Sequence, residues 1–224
     1  MPIQLFTHNL NGFETKSQFI SDICAPLPMC IYGVQEHWLP PPFKKSPGVN
    51  KLKSVHPNLD GWGTSAMKAK MENQIRTGRP FGGTGFIWSK SLSGSVRPKP
   101  QYCHERVTVL EVSTSIGLIL IINVYMPYFN QSDIINQTNL FSEVIGFVDS
   151  VINDNPGSNF ILIGDMNCNV YSSTNPFSTI LNDFTNEKGL KCTFDLMPSF
   201  DRNNEYTRCN LKQNSYSLLR YVVI

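Results

Sequence analysis

Apolar residues along this chain fall mostly into short blocks that alternate or run together, separated by turn residues. Period-2 and continuous apolar runs predict strands, and spacings of three and four predict helices. Read this way, Ile3–Thr7 is a strand, about Lys16–Ile23 a helix and about Met29–Gln35 a second strand. A long irregular insert follows from Phe43 through Pro80, opened by "LPPPFKKSPG", whose prolines oppose regular structure. "GGTGFIWSK" predicts a strand entered through glycines, and "RVTVLEVSTSIGLILIINVYMP" a hairpin turning near Ser115–Gly117. Leu140, Val144, Val148 and Val151, with Phe141 and Ile145 beside them, form one helical apolar stripe. In "FILIGDMNCNV", Phe160–Ile163 reads as a strand buried on both faces. Asn175 as N-cap and Pro176 at the first helical position open a further helix. Two last strands are expected near Glu205–Cys209 and Tyr216–Val223. Hairpins mixed with helices predict an α/β fold, two mixed sheets packed face to face beneath outer helices.

Polar residues recur where these strands run out. Asn9 follows the first strand, Glu36 the second, Tyr125 the hairpin, and Thr207 sits near a late strand. Asp165 and Asn167 come just past the buried run Phe160–Ile163, and at period 2 they project to one side. Each alone has a commonplace account: Asn9 and the Asp165–Asn167 pair as turn residues, Glu36 as a surface charge, Tyr125 as part of the core. Together at strand ends of one domain they suit a different task. Carboxylates with few nitrogen or sulfur neighbours are what a hard cation such as Mg²⁺ takes. Amides, a phenol and a second carboxylate could hold a phosphodiester and an attacking water in line.

Composition changes this picture little, whereas charge placement changes it more. At 224 residues and 41% hydrophobic content the chain suffices for one large two-sheet domain or two small domains, and wholesale disorder is excluded. The N-terminus lacks the basic and apolar regions of a signal peptide, and "GLILIINVYM" is about half a membrane span. An intracellular protein, nuclear or cytoplasmic and neither secreted nor membrane-bound, is the expectation. Six cysteines (Cys24, Cys30, Cys103, Cys168, Cys192 and Cys209) show no CxxC pair and read as buried reduced thiols. Net charge is only +2, but the segment 43–80 holds Lys44, Lys45, Lys51, Lys53, Lys68, Lys70, Arg76 and Arg79 against Asp60 and Glu72. That segment carries +6 and the remainder −4. A basic insert on a mildly acidic body suits a phosphate-rich partner, with Lys44, Lys45, Lys68, Lys70, Arg76 and Arg79 as candidate nucleic-acid contacts.

The ordered motifs "HNLNG", "VQEHWL", "GGTGFIWS", "NVYMP", "GDMN" and "YT" resemble those of the endonuclease/exonuclease/phosphatase superfamily. They are similar in particular to the apurinic-type endonuclease domain of non-LTR (LINE-type) retrotransposons, from about Ile3 to Ile224. The resemblance implies a four-layered α/β sandwich spanning 1–224 and Mg²⁺, or Mn²⁺ in its place, held by Glu36 with Asn9 beside it. It implies that Asp165 orients or deprotonates water, Asn167 contacts the scissile phosphate, Tyr125 steadies the transition state and Thr207 supports the site. DNA would be the partner, nicked to leave a 3′-hydroxyl that a reverse transcriptase domain could extend.

The chain departs from the family pattern near its end. "SLLRYVVI" keeps Ser217 and Tyr221 but places Arg220 where the family has the aspartate that holds a catalytic histidine. The family's later Ser-Asp-His strand has no counterpart, so the sequence reads as a C-terminally truncated copy with impaired catalysis. Two alternatives to the nuclease follow: a catalytically silent nucleic-acid-binding remnant, or another phosphodiesterase or phosphatase of the superfamily acting on a lipid or inositol phosphate.

Overall fold

The computed structural model describes residues 2–42, 46, 48–67, 71–72, 75–76, 80–169, 175–192, 208–210 and 215–217. The chain opens with β1 (Gln4–Asn9), α1 (Ser17–Cys24) and β2 (Cys30–Gln35). The segment expected to be irregular instead contains a 3₁₀ stretch, Gly48–Ser54, then β3 (Leu59–Gly63) and a ribbon of β4 (Met71–Glu72) with β5 (Ile75–Arg76). Its prolines do not reach β3, where Leu59 and Gly61 are buried and complete one edge of a sheet. Next come β6 (Thr84–Ser89), β7 (Val96–Pro98) and the hairpin β8 (Val107–Thr114) and β9 (Gly117–Tyr125). The chain then runs through α2 (Ile134–Asn153), β10 (Asn159–Asp165) and α3 (Pro176–Glu187), with β11 (Arg208–Asn210) and β12 (Ser215–Ser217) paired as an antiparallel ribbon. Asn175 caps α3 by accepting the Phe177 N–H at 2.9 Å, with Pro176 in the first turn.

Two mixed four-stranded sheets stack on each other, in the orders β1-β2-β6-β3 and β10-β9-β8-β7. Within the first, β1 and β2 are parallel; within the second, β9 and β10 are parallel. β10 lies over β1 and β2, and β9 over β2 and β6. Strand alternation sorts the side chains into three apolar layers. Cys30, Tyr32 and Val34 of β2 pack outward with Ile20 and Cys24 of α1. Leu120, Ile122 and Val124 of β9 pack outward beneath Phe141, Val144 and Val148 of α2 and Phe177 and Leu181 of α3. Between the sheets lie Ile31, Phe86, Trp88, Leu110, Ile121 and Ile163. Helix, sheet, sheet, helix makes the four-layered sandwich. Cys24, Cys30 and Cys168 are buried, whereas Cys103 is exposed on the loop before β8, against expectation.

The sheets approach closely at Gly33. A Cβ there would meet Ile163 Cδ1 at 2.5 Å, so glycine lets the facing isoleucine keep its place without shifting. Toward the C-terminal ends of β1, β2, β9 and β10 this inner layer turns polar, and there the site forms. Among the described residues no helix is long and apolar enough to cross a membrane.

Candidate active site

At the rim, two hydrogen bonds cross from one sheet to the other. Asn9 Nδ2, ending β1, donates to Asp165 Oδ2, ending β10, at 2.6 Å. The Tyr125 hydroxyl, ending β9, donates to Glu36 Oε1 at 2.5 Å, just past β2. The four residues are between 9 and 165 in sequence, and the sandwich brings them together because four strands present their C-terminal ends at one rim. Asn167 adjoins them: its N–H donates to Asp165 Oδ1 at 3.4 Å and its Nδ2 to the Met126 carbonyl at 2.8 Å. Thr207, Lys44, Lys45, Lys68, Lys70, Arg79, Arg220 and Tyr221 lie outside the described residues; Arg76 and Ser217 are described only as strand backbone.

Strand parity alone would not deliver Glu36. Gln35 faces the inner layer, so an extended continuation would turn residue 36 toward the helix side. Glu36 instead adopts φ +52°, in the left-handed region. Among the described residues the non-glycine residues with positive φ are Asn11 (+50°), Glu36 (+52°), Trp38 (+58°) and Asn167 (+51°), and all follow strands that feed this rim. Such conformations cost on the order of 1–3 kcal/mol each and cluster where a fold positions functional groups.

Gly164 accounts for the break in the apolar run before Asp165. Its φ is +136°, and a Cβ would lie 2.0 Å from the Val124 carbonyl oxygen on the paired strand. Gly164→Ala is therefore expected to destabilise the protein by more than about 3 kcal/mol, read as a lowered urea midpoint. An unchanged midpoint would refute this account of the glycine.

Sequence reading missed Arg106, which precedes β8. Its residue exposure is 9%, its Nη1 donates to the Tyr125 carbonyl at 3.2 Å, and its guanidinium carbon sits 5.2 Å from the Tyr125 ring centroid. Among the described residues it has no carboxylate within ion-pair distance, and its Nε has no hydrogen-bond partner. The only signal was a basic residue opening a β-branched run. Burial and the Glu36 hydrogen bond push the Tyr125 hydroxyl far above the ordinary phenol range, so it remains a donor.

All four histidines are engaged elsewhere. His37 is buried; the Leu39 N–H donates to its Nδ1 at 3.0 Å, so Nε2 carries the proton and donates to the Thr64 carbonyl at 2.9 Å. Burial pushes its pKa down to about 4. His8 Nδ1 lies 3.1 Å from the Tyr32 hydroxyl, His56 Nδ1 accepts the Asn58 N–H, and His104 Nδ1 accepts the Arg106 N–H.

No family model matches the chain, and no curated protein does. Solved structures do. The 3′ phosphatase NExo from Neisseria, bound to a product DNA hairpin, aligns over 99% of this chain and 86% of its own, with TM-score 0.65 and 13% identity. The endonuclease domain of TRAS1, a telomere-specific non-LTR retrotransposon, aligns over 100% and 84%, with TM-score 0.60 and 14% identity. An endonuclease/exonuclease/phosphatase family protein from Leptotrichia buccalis aligns over 99% and 87%, with TM-score 0.62 and 13% identity. The chain has the endonuclease/exonuclease/phosphatase fold. In this fold the rim bearing Asn9, Glu36, Tyr125 and Asp165 is formed jointly by both sheets.

The donor set at that rim fits a hard divalent cation. Glu36 offers carboxylate oxygens and Asn9 an amide, with the Asp165 carboxylate beside them and no sulfur or imidazole in the set. Glu36 spends Oε1 on Tyr125, and its Oε2 carries no hydrogen bond from the described residues. Among the described residues no three His, Cys, Asp or Glu side chains cluster as a closed metal cage. Mg²⁺ does not need one, since it binds through one or two carboxylates and keeps several waters.

Proposed function

We propose that this protein is a metal-dependent phosphodiesterase domain that nicks DNA, with Glu36 and Asn9 holding Mg²⁺ or Mn²⁺. The observation that carries the reading is the pair of inter-sheet bonds, which place two carboxylates, an amide and a phenol at one rim. A bound cation would neutralise charge on the phosphate. Asp165, oriented by Asn9, accepts the proton of the attacking water as its oxygen bonds to phosphorus and the P–O3′ bond breaks. Tyr125 and Asn167 orient the phosphate, and Arg106 adds a fixed positive charge behind the Tyr125 ring. The product DNA hairpin bound to NExo and the TRAS1 endonuclease domain support DNA as substrate, as does the basic segment 43–80 with Lys44, Lys45, Lys68, Lys70, Arg76 and Arg79. The motif resemblance extends the reading to a retrotransposon-derived domain, 1–224, that serves a reverse transcriptase.

Turnover is slow in this reading. With His8, His37, His56 and His104 engaged elsewhere and Arg220 in the place of the family aspartate, residues 1–224 offer the leaving O3′ no histidine proton, and solvent supplies it. A positioned acid contributes about 10²–10⁴-fold, and that factor is forgone. The same observation favours a second reading, a domain that binds nucleic acid without cutting it. Supercoiled plasmid separates the two. Nicking that requires Mg²⁺ or Mn²⁺ and stops with EDTA is expected; DNA binding with nicking no faster than an EDTA control would replace the first reading with the second.

A further inference from the structure

One layer beneath the rim, two buried amide side chains join the sheets, beside the threonines Thr7, Thr84 and Thr108 and above the apolar layer. Gln35 and Asn123 are both 0% exposed. Gln35 Nε2 donates to Asn123 Oδ1 at 2.6 Å and to Thr7 Oγ1 at 3.0 Å. Asn123 Nδ2 donates to the Val34 carbonyl at 3.0 Å and the Gly85 carbonyl at 2.9 Å. Asn123 belongs to β9, so all three of its side-chain bonds end on the opposite sheet, on β2 and β6. It sits in line with Ile121 below and Tyr125 above on the same face, and Gln35 immediately precedes Glu36.

Burying two amides is unfavourable unless each finds partners, and here Gln35 Oε1 has none among the described residues, so the bridge carries an uncompensated cost. What the bridge supplies beyond apolar packing is direction. Hydrophobic contact is roughly proportional to area and tolerates small slides between the sheets. Hydrogen bonds of 2.6–3.0 Å between fixed strands do not. The rim contacts need such a constraint, because Asn9–Asp165 and Glu36–Tyr125 each have one partner on either sheet.

We propose that Gln35 and Asn123 are positioning residues that hold the two sheets in the register required by the rim. They touch no substrate. Their relevance to catalysis rests on the phosphodiesterase reading, whereas their effect on rim geometry does not. Buried polar contacts that select one packing register from several are a known use of such groups.

The test reads the Asn9 side-chain amide by NMR, since its bond to Asp165 spans both sheets. Asn123→Leu keeps nearly the same volume and removes the bridge. It is expected to shift the Asn9 Nδ2 protons toward their free values and speed their exchange at least tenfold. Gln35→Met leaves the two carbonyl bonds of Asn123 and is expected to change the amide in the same direction, by less; it also carries the test if Asn123→Leu does not fold. Ile121→Ala, a cavity in the same layer, controls for general weakening. It is expected to lower the unfolding midpoint yet leave Asn9 exchange within twofold. The proposal is overturned if neither bridge variant moves the Asn9 amide, or if Ile121→Ala moves it equally. A protein whose variants and parent all fail to nick DNA would count against the phosphodiesterase reading, and the amide result would stand by itself.

Discussion

Asp165→Asn is expected to cut metal-dependent plasmid nicking by about 10²–10⁴-fold, the range for a positioned general base. The substitution is close to isosteric and leaves the backbone bond from the Met126 N–H to the residue 165 carbonyl intact at 2.9 Å. The loss is therefore chemical. Asn9 loses a charged acceptor but retains the carbonyl oxygen of the substituted side chain as a partner, so the unfolding midpoint is expected to move little. Cation affinity is expected to persist, because Glu36 is untouched. A variant that nicks at the parental rate would remove Asp165 from the proton path, and the parent would then owe its nicking to another group. Because the parent is itself expected to be slow, the assay needs single-hit conditions and an EDTA-treated parent as its floor.

Much of this site was legible because strand ends are legible. Period 2 located the inner and outer faces, and the polar residues at the ends of four strands stood out against apolar runs such as Phe160–Ile163. Helix α3 was readable from Asn175 and Pro176, whose capping role is local chemistry. What periodicity cannot carry is a residue that breaks it. Glu36 reaches the rim through a left-handed φ, which no alternation rule places there. β3 was hidden because two of its five residues are glycine and it lies within a proline- and lysine-rich segment. Arg106 was invisible for a different reason: its role depends on burial beside Tyr125, a tertiary property. The Gln35–Asn123 bridge lay between these cases. Asn123 occupies an inward position in "IINVY", where the pattern calls for an apolar side chain, and that mismatch is itself a signal.

Glu36→Gln is expected to abolish divalent cation binding while preserving the fold around it. The amide oxygen of the variant still accepts the Tyr125 hydroxyl, so the inter-sheet contact survives in kind. What disappears is the charge, and Mg²⁺ bound through one or two carboxylates depends on each of them. Even residues that only support metal ligands cost about 10- to 100-fold in affinity when changed, so loss of a ligand charge is expected to exceed about 100-fold. Calorimetric titration with Mn²⁺, backed by paramagnetic broadening of the Asn9 and Tyr125 resonances, checks it. The contrast with Asp165→Asn is the informative part. If Glu36 holds the ion and Asp165 handles the water, the first variant loses binding and cutting together, and the second loses cutting alone. Equal Mn²⁺ affinity in the parent and Glu36→Gln would exclude Glu36 as the ligand. It would leave the left-handed turn at this residue in service of the Tyr125 contact only.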